Sequence, residues 1–247
     1  MSIALYLSHL LHFFTRHFNL VHKYIAVSEF IKSQHVLAGF EQDKIYVKPN
    51  FVDTNPFKNI SEKNPRSGVI YIGRISKSKG SEILKYLFDT VNSHFNIIGD
   101  GPELLNLINY CKKNNYSHVE FHGRKSQDFC FKLLSESVCS IVPSMCGESF
   151  SLSAAESMAL NTPVVAFDIG GLGELMTKSD GGIKVNPFCK SDFATAVNYL
   201  LKHKTEACKL GLNGNRFVQN ELNPSLNTRT LIGYYQDLLQ TNRNTKF

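Results

Sequence analysis

Glycine turns that carry cations, and one spaced pair of carboxylates, are the residues here whose types and spacing suit chemistry. Gly73-Arg74-Ile75-Ser76-Lys77-Ser78-Lys79-Gly80 sets its cations between glycines, just ahead of an expected helix. Such a turn suits a diphosphate, which gains ionic partners and the free N–H groups of a helix start together. Alone, an Arg or Lys in an exposed loop is only solvated, so this pattern needs company. Gly99-Asp100-Gly101-Pro102-Glu103 repeats the glycine turn, with Pro at an expected first helical position. Phe121-His122-Gly123-Arg124 ends another expected strand on glycine. Glu148 stands in a loop, and Glu156 in the second turn of a helix beginning near Ser151. Small residues at 149, 151, 153, 154 and 155 leave the backbone between them open to a ligand. Two such carboxylates can accept hydrogen bonds from the hydroxyls of a sugar and a ribose. The plainer reading makes one a solvated loop residue and the other a capping or surface carboxylate. Asp168-Ile169-Gly170-Gly171-Leu172-Gly173-Glu174 adds more free backbone at the same edge.

The elements that must position these residues are short β-branched runs alternating with helical patterns. Strands are expected at Tyr24–Val27, Lys44–Val47, Gly68–Ile72, Phe95–Ile98, Val119–His122, Val138–Val142, Pro163–Phe167 and Ile183–Val185. Continuous apolar runs such as Val69-Ile70-Tyr71-Ile72 suit strands covered on both faces, as in a parallel sheet. Ser28 is expected to cap a helix that Gly39 ends, and Ser81, Ser126 and Ser191 precede further helical patterns. The alternation predicts a doubly wound, mostly parallel α/β sheet, in which ligands bind outside the carboxyl ends of the strands. Pro49 to Ser67 reads as a linker-like loop dividing a short leading portion from the main sheet.

Composition narrows the classes. Of 247 residues, 43% are apolar and 19% charged, which excludes disorder as the main state. The net charge of +6 is scattered, so no nucleic-acid partner is expected. The six cysteines form no CxxC pair and have no histidine at zinc-ligand spacing, so reduced thiols and no metal are expected. Residues 1–27 hold no acidic residue and four of the nine histidines. Their polar interruptions argue against a signal peptide or a membrane span. Leu7, Leu11, Phe14, Phe18, Val21 and Ile25 form an apolar stripe, expected to pack on the fold rather than lie on a membrane.

Taken in order, these stretches resemble the nucleotide-sugar-binding half of family 4 glycosyltransferases, which have the two-domain GT-B fold. Ile25-Ala26-Val27-Ser28-Glu29-Phe30 and Val47-Lys48-Pro49-Asn50-Phe51-Val52-Asp53 belong to the match, which runs from about Tyr24 to the C-terminus. The resemblance implies a Rossmann-like, single GT-B C-terminal domain over 28–247, preceded by an acceptor-domain remnant (helix and strand) over 1–27. A C-terminal crossover helix is expected over about Leu226 to Leu239. It implies that Arg74 and Lys79 hold the diphosphate of a UDP- or GDP-sugar and stabilise it as a leaving group. By the same resemblance Glu148 binds the donor sugar, while Phe150, Ser151 and Leu152 offer backbone N–H groups. Glu156 binds the ribose, Gly123-Arg124 lies beside the base, and Asn50, Gly73, Gly99 and Gly101 shape the cleft floor. The anomeric configuration is retained, and neither metal nor cofactor is implied beyond the donor. Ser149 and Ser151 stand where the family often has glycine, a departure expected to matter little. A glycan or lipid-linked acceptor then needs a partner chain or a second copy to complete the cleft. The alternative is a truncated, non-catalytic sugar-nucleotide-binding module. A dinucleotide oxidoreductase is set aside, because no G-x-G-x-x-G follows the first strand. A cytoplasmic location is expected, with the basic N-terminal helix compatible with peripheral contact at the inner membrane face.

Overall fold

The computed structural model describes residues 3–15, 20–59 and 65–244, without the side chains of His9, Phe13, Lys58, Asn59 and residues 241–244. Among the described residues eight strands form, each bound within one residue of expectation: β1 (Tyr24–Ala26), β2 (Ile45–Val47), β3 (Val69–Ile72), β4 (Phe95–Ile98), β5 (Val119–Gly123), β6 (Cys139–Val142), β7 (Val164–Phe167) and β8 (Gly182–Val185). The last six make one parallel sheet in the order β5-β4-β3-β6-β7-β8. Strand order therefore reverses between β3 and β6, the switch point at which open α/β sheets bind ligands. Pairing there covers only Val69 with Cys139 and Ile70 with Ser140, so the carboxyl ends of β3 and β6 part.

Helices cover both faces, which is why the strand sequences are apolar without alternation. Val165 and Phe167 face the core shared with α3 (Ser81–Thr90), α4 (Leu104–Lys113) and α8 (Lys190–Lys202). Val164 and Ala166 face the opposite core, built with α6 (Leu152–Ala159), α7 (Gly170–Ser179) and α9 (Lys204–Glu221). Ile70 and Ile98 point towards α5 (Gln127–Glu136).

The leading segment makes α1 (Ile3–Phe14), β1, α2 (Glu29–Leu37) and β2, with β1 and β2 in a separate two-stranded parallel sheet. The C-terminal helix α10 (Pro224–Asn244) returns to this sheet. The Tyr234 ring stacks on Tyr46 at 4.2 Å, its hydroxyl donates to the Val47 carbonyl, and Lys48 Nζ donates to Asn227.

Several expectations change. The apolar stripe does not pack as one helix: Leu7, Leu11 and Phe14 are 58%, 62% and 77% exposed. Phe18 lies outside the described residues, and Ile25 leaves the helical period because pairing with Tyr46 draws it into β1. Ser81 is the first residue of α3 rather than its cap, because Gly80 takes the cap position at φ 86°. A Cβ there would stand 2.1 Å from the Pro143 carbonyl oxygen, so the chain crosses β6 on glycine before the helix can start. Pro102 lies in the turn ahead of α4, held off the helix because Glu103 N bonds the Ile75 carbonyl. Ser191 is inside α8, whose cap position is Cys189. Ser28 and Ser126 do cap α2 and α5. All six cysteines are unpaired thiols, and among the described residues no helix is long and apolar enough to cross a membrane.

Candidate functional site

A cleft of about 640 Å³ opens at the carboxyl ends of β3, β4 and β5, on one side of the switch point. Gly73, Arg74, Gly99, Gly101 and Arg124 line it, as do Lys125 and Cys130. Its floor is backbone laid on backbone. Gly73 N bonds the Ile98 carbonyl, and Ile75 N bonds the Asp100 carbonyl. A Cβ on Gly99 would stand 1.8 Å from the Gly73 oxygen, and one on Gly101 would stand 2.3 Å from the Ile75 oxygen. Both glycines also have φ values that L side chains rarely adopt, 140° and 156°. Arg74 and Arg124 are exposed, and neither has an ion-pair partner among the described residues. Lys125 lies over the Phe129 ring at 5.2 Å.

The loop from β6 to α6 adjoins the β3–α3 turn, with Met145 N bonding the Ser78 carbonyl. Glu148 is held there by Lys79 Nζ at 2.7 Å and by a hydrogen bond from Ser144 Oγ. Its side chain is 12% exposed. Burial pushes its carboxyl up, but the Lys79 ammonium and the Ser144 and Ser151 hydroxyls outweigh that and leave it below the usual value. Glu156, on α6, has the opposite balance: burial alone pushes its carboxyl up. Its charge is felt at Cys130 across the cleft wall. Tyr71 joins the banks, since its hydroxyl donates to the Arg74 carbonyl and its phenol is pushed up by burial and by Glu148. The loop backbone is anchored by Gly171 N on the Glu148 carbonyl at 2.7 Å.

Anionic ligands fit such an arrangement: open cations on one bank, a carboxylate already paired on the other, and a helix start between. A model of the family described as glycosyl transferases group 1 matches residues 53–217. The chain belongs to this family. An uncharacterized glycosyltransferase of Methanocaldococcus jannaschii is 31% identical over 195 residues, covering 79% of this chain and 54% of that protein. The alpha-D-kanosaminyltransferase of Streptomyces kanamyceticus is 31% identical over 144 residues, covering 54% of this chain and 36% of that enzyme. Among solved structures, Anabaena HepE in complex with UDP superposes with a TM-score of 0.78 at 19% identity, covering 87% of this chain and 64% of that one. A Rickettsia africae glycosyltransferase gives 0.78 at 22% identity, covering 88% and 63%. The chain thus spans about half the length of the first curated relative and under two thirds of these structures. Its fold is that of the GT-B glycosyltransferases.

Within this glycosyltransferase domain the expected site residues fall into three groups. Gly73, Arg74, Gly99, Gly101 and Arg124 line the cleft, whereas Lys79, on the same turn as Arg74, and Glu148 and Glu156 are not among its lining residues; Lys79 pairs with Glu148 instead. Gly123 ends β5, with its carbonyl bonded by Gly99 N. Asn50 does not line the cleft; its neighbour Pro49 lines a small pocket with Ser28, Phe150, Gly171 and Glu174. The Phe150 side chain is buried in the core beneath α6, and Leu152 is 49% exposed. Ser151 is a larger departure than its size suggests. Its φ of 93° lies in the left-handed region, which strains a serine by about 1 kcal/mol or more. Sequence reasoning passed over Tyr71, Ser144, Lys125 and Cys130. Lys125 directly follows Arg124 and was open to notice, whereas Tyr71 looked like one more apolar strand residue.

Proposed function

We propose that this chain carries the donor half of a retaining, metal-independent family 4 glycosyltransferase that takes a UDP- or GDP-sugar. In this reading Arg74 and Lys79 grip the diphosphate, Glu148 holds the donor sugar hydroxyls, Glu156 the ribose, and the Gly123-Arg124 turn flanks the base. As the anomeric carbon–oxygen bond breaks, the electron pair passes to the diphosphate oxygen. The two cations and the first amides of α6 meet that growing charge without rearranging. Asn50 contributes through the β2 end of the domain, and the amides of Phe150, Ser151 and Leu152 face phosphate and sugar. The acceptor, a glycan or lipid-linked glycan, is bound by polypeptide outside residues 28–247, supplied by a partner chain or a second copy; residues 1–27 belong with that acceptor part.

The observation that supports this most is the Lys79–Glu148 ion pair, its carboxylate 12% exposed, with Arg74 of the same β3–α3 turn exposed and without an ion-pair partner among the described residues. The test is release of nucleoside diphosphate from a panel of UDP-, GDP- and ADP-sugars, with water as the surrogate acceptor. Wild type should release it from one donor, and Glu148→Gln and Arg74→Ala should not. Silence on every donor overturns the reading.

A further inference from the structure

The loop that carries Glu148 is gripped from outside the six-stranded sheet. Ser28, at the cap of α2, is buried at 3% exposure and uses its hydroxyl twice. It accepts from Ile31 N at 3.2 Å, closing the first turn of α2. It also donates to the Ser149 carbonyl at 2.7 Å, across 121 residues of sequence. Phe30, in the same first turn of α2, adds two contacts. The Phe30 ring covers Gly147 so closely that a Cβ there would stand 2.9 Å from it. Phe30 N donates to Glu174 Oε2 at 3.0 Å, fastening α2 to α7. That same α7 supplies the Gly171 amide that holds the Glu148 carbonyl. The carbonyls of residues 148 and 149 are therefore fixed by two different helices, while residue 147 is pressed from above.

From this geometry we infer that Ser28 is a positioning residue for Glu148, acting through the Ser149 carbonyl. It sets the direction in which the carboxylate meets the donor sugar. The role deepens the function proposed above and rests on it for its effect on sugar binding. Without the hydroxyl, the 149 carbonyl loses its partner and the loop gains freedom between Gly147 and Ser151. Lys79 continues to hold the carboxylate end, so the diphosphate side of the cleft is untouched.

Losing a helix cap would by itself weaken α2, so the test separates cap from clamp. Gln34→Gly lies on the exposed side of α2 and weakens the helix by a similar amount, about 1 kcal/mol, without touching the loop. Ser28→Thr keeps a hydroxyl that can do both tasks. UDP and UDP-glucose, with the GDP and ADP pairs alongside, are titrated by calorimetry into wild type, Ser28→Ala and these two variants. Amide hydrogen exchange of the 145–152 segment is followed in the ligand-free proteins. Ser28→Ala should weaken the sugar nucleotide about fivefold relative to the bare nucleotide, the worth of one hydrogen bond. It should also speed exchange in the loop. Ser28→Thr should restore both, and Gln34→Gly should move neither. Equal effects from Ser28→Ala and Gln34→Gly, or no change in loop exchange with Ser28→Ala, overturn the inference. Should wild type bind no nucleotide of the panel, the donor reading falls, and exchange alone still decides whether Ser28 clamps the loop.

Discussion

The two banks of the cleft solve different problems. On the β3–β4–β5 side the surface is preformed: glycines let one turn lie directly on the next, and Arg74 and Arg124 stand exposed with no acidic partner among the described residues. On the β6–α6 side Glu148 already has internal partners, held by Lys79, Ser144 and Ser151. One bank leaves its positive charge open, and the other has its charge neutralised by its own side chains. The contrast teaches that a site can be ready in two senses. Open cations attract from a distance, whereas a paired carboxylate stays oriented at little desolvation cost.

The contrast can be broken most severely at the floor. Gly99→Ala sets a Cβ against the Gly73 oxygen at a φ of 140°, and should cost about 3 kcal/mol or more. Chemical denaturation would register this as a large fall in midpoint. On the open bank, Arg74→Ala should leave stability nearly unchanged and weaken nucleoside diphosphate binding about tenfold or more, since a charged hydrogen bond is lost. On the paired bank, Lys79→Ala should behave differently and lower stability as well, by about 1–2 kcal/mol. The modest figure reflects a Lys79 side chain that is 34% exposed. The loss should fade in acid. A carboxyl held below its usual value stabilises the fold above its unfolded pKa, and that contribution disappears as pH falls through the folded one. Comparing the two variants across pH from 7 to 3 would show the slope in the Lys79 series alone.

Smaller effects sharpen the picture. Ser151→Gly relieves the left-handed backbone, worth about 1 kcal/mol, but removes a hydroxyl from Glu148. Thermal unfolding should therefore shift upward while the Glu148 carboxyl, followed by NMR, moves back towards its ordinary value. Glu156→Gln should also stabilise slightly at neutral pH, because burial disfavours the ionised wild-type carboxylate. That gain should close as pH drops below the ordinary carboxyl range, where the folded and unfolded wild type are both protonated.

Much of the architecture could be read from the chain because burial on both faces leaves unbroken apolar runs such as Val164-Val165-Ala166-Phe167. The glycine-and-cation turns were legible for the same local reason, since their residue types state what the backbone must do. Helix starts were less so: Ser81 looks like a cap in isolation, and only the crossing of Gly80 against Pro143 shows why it is not one. The expected packing of the N-terminal stripe failed because periodicity describes a face without naming what covers it. Nothing in the local sequence joins Ser28 to Ser149 or Tyr71 to Glu148, for those are consequences of topology. Ser151 shows a further limit: residue size suggested a neutral change, while its backbone angle shows strain.

The central claim is that Arg74 and Lys79, both from the turn between β3 and α3, converge on one pyrophosphate. Calorimetric titration of UDP, GDP and ADP into wild type, Arg74→Ala and Lys79→Ala measures it most directly. The account predicts saturable heat from at least one nucleotide, weakened about tenfold by each substitution. Absence of heat from all three, or binding that neither substitution disturbs, would contradict it.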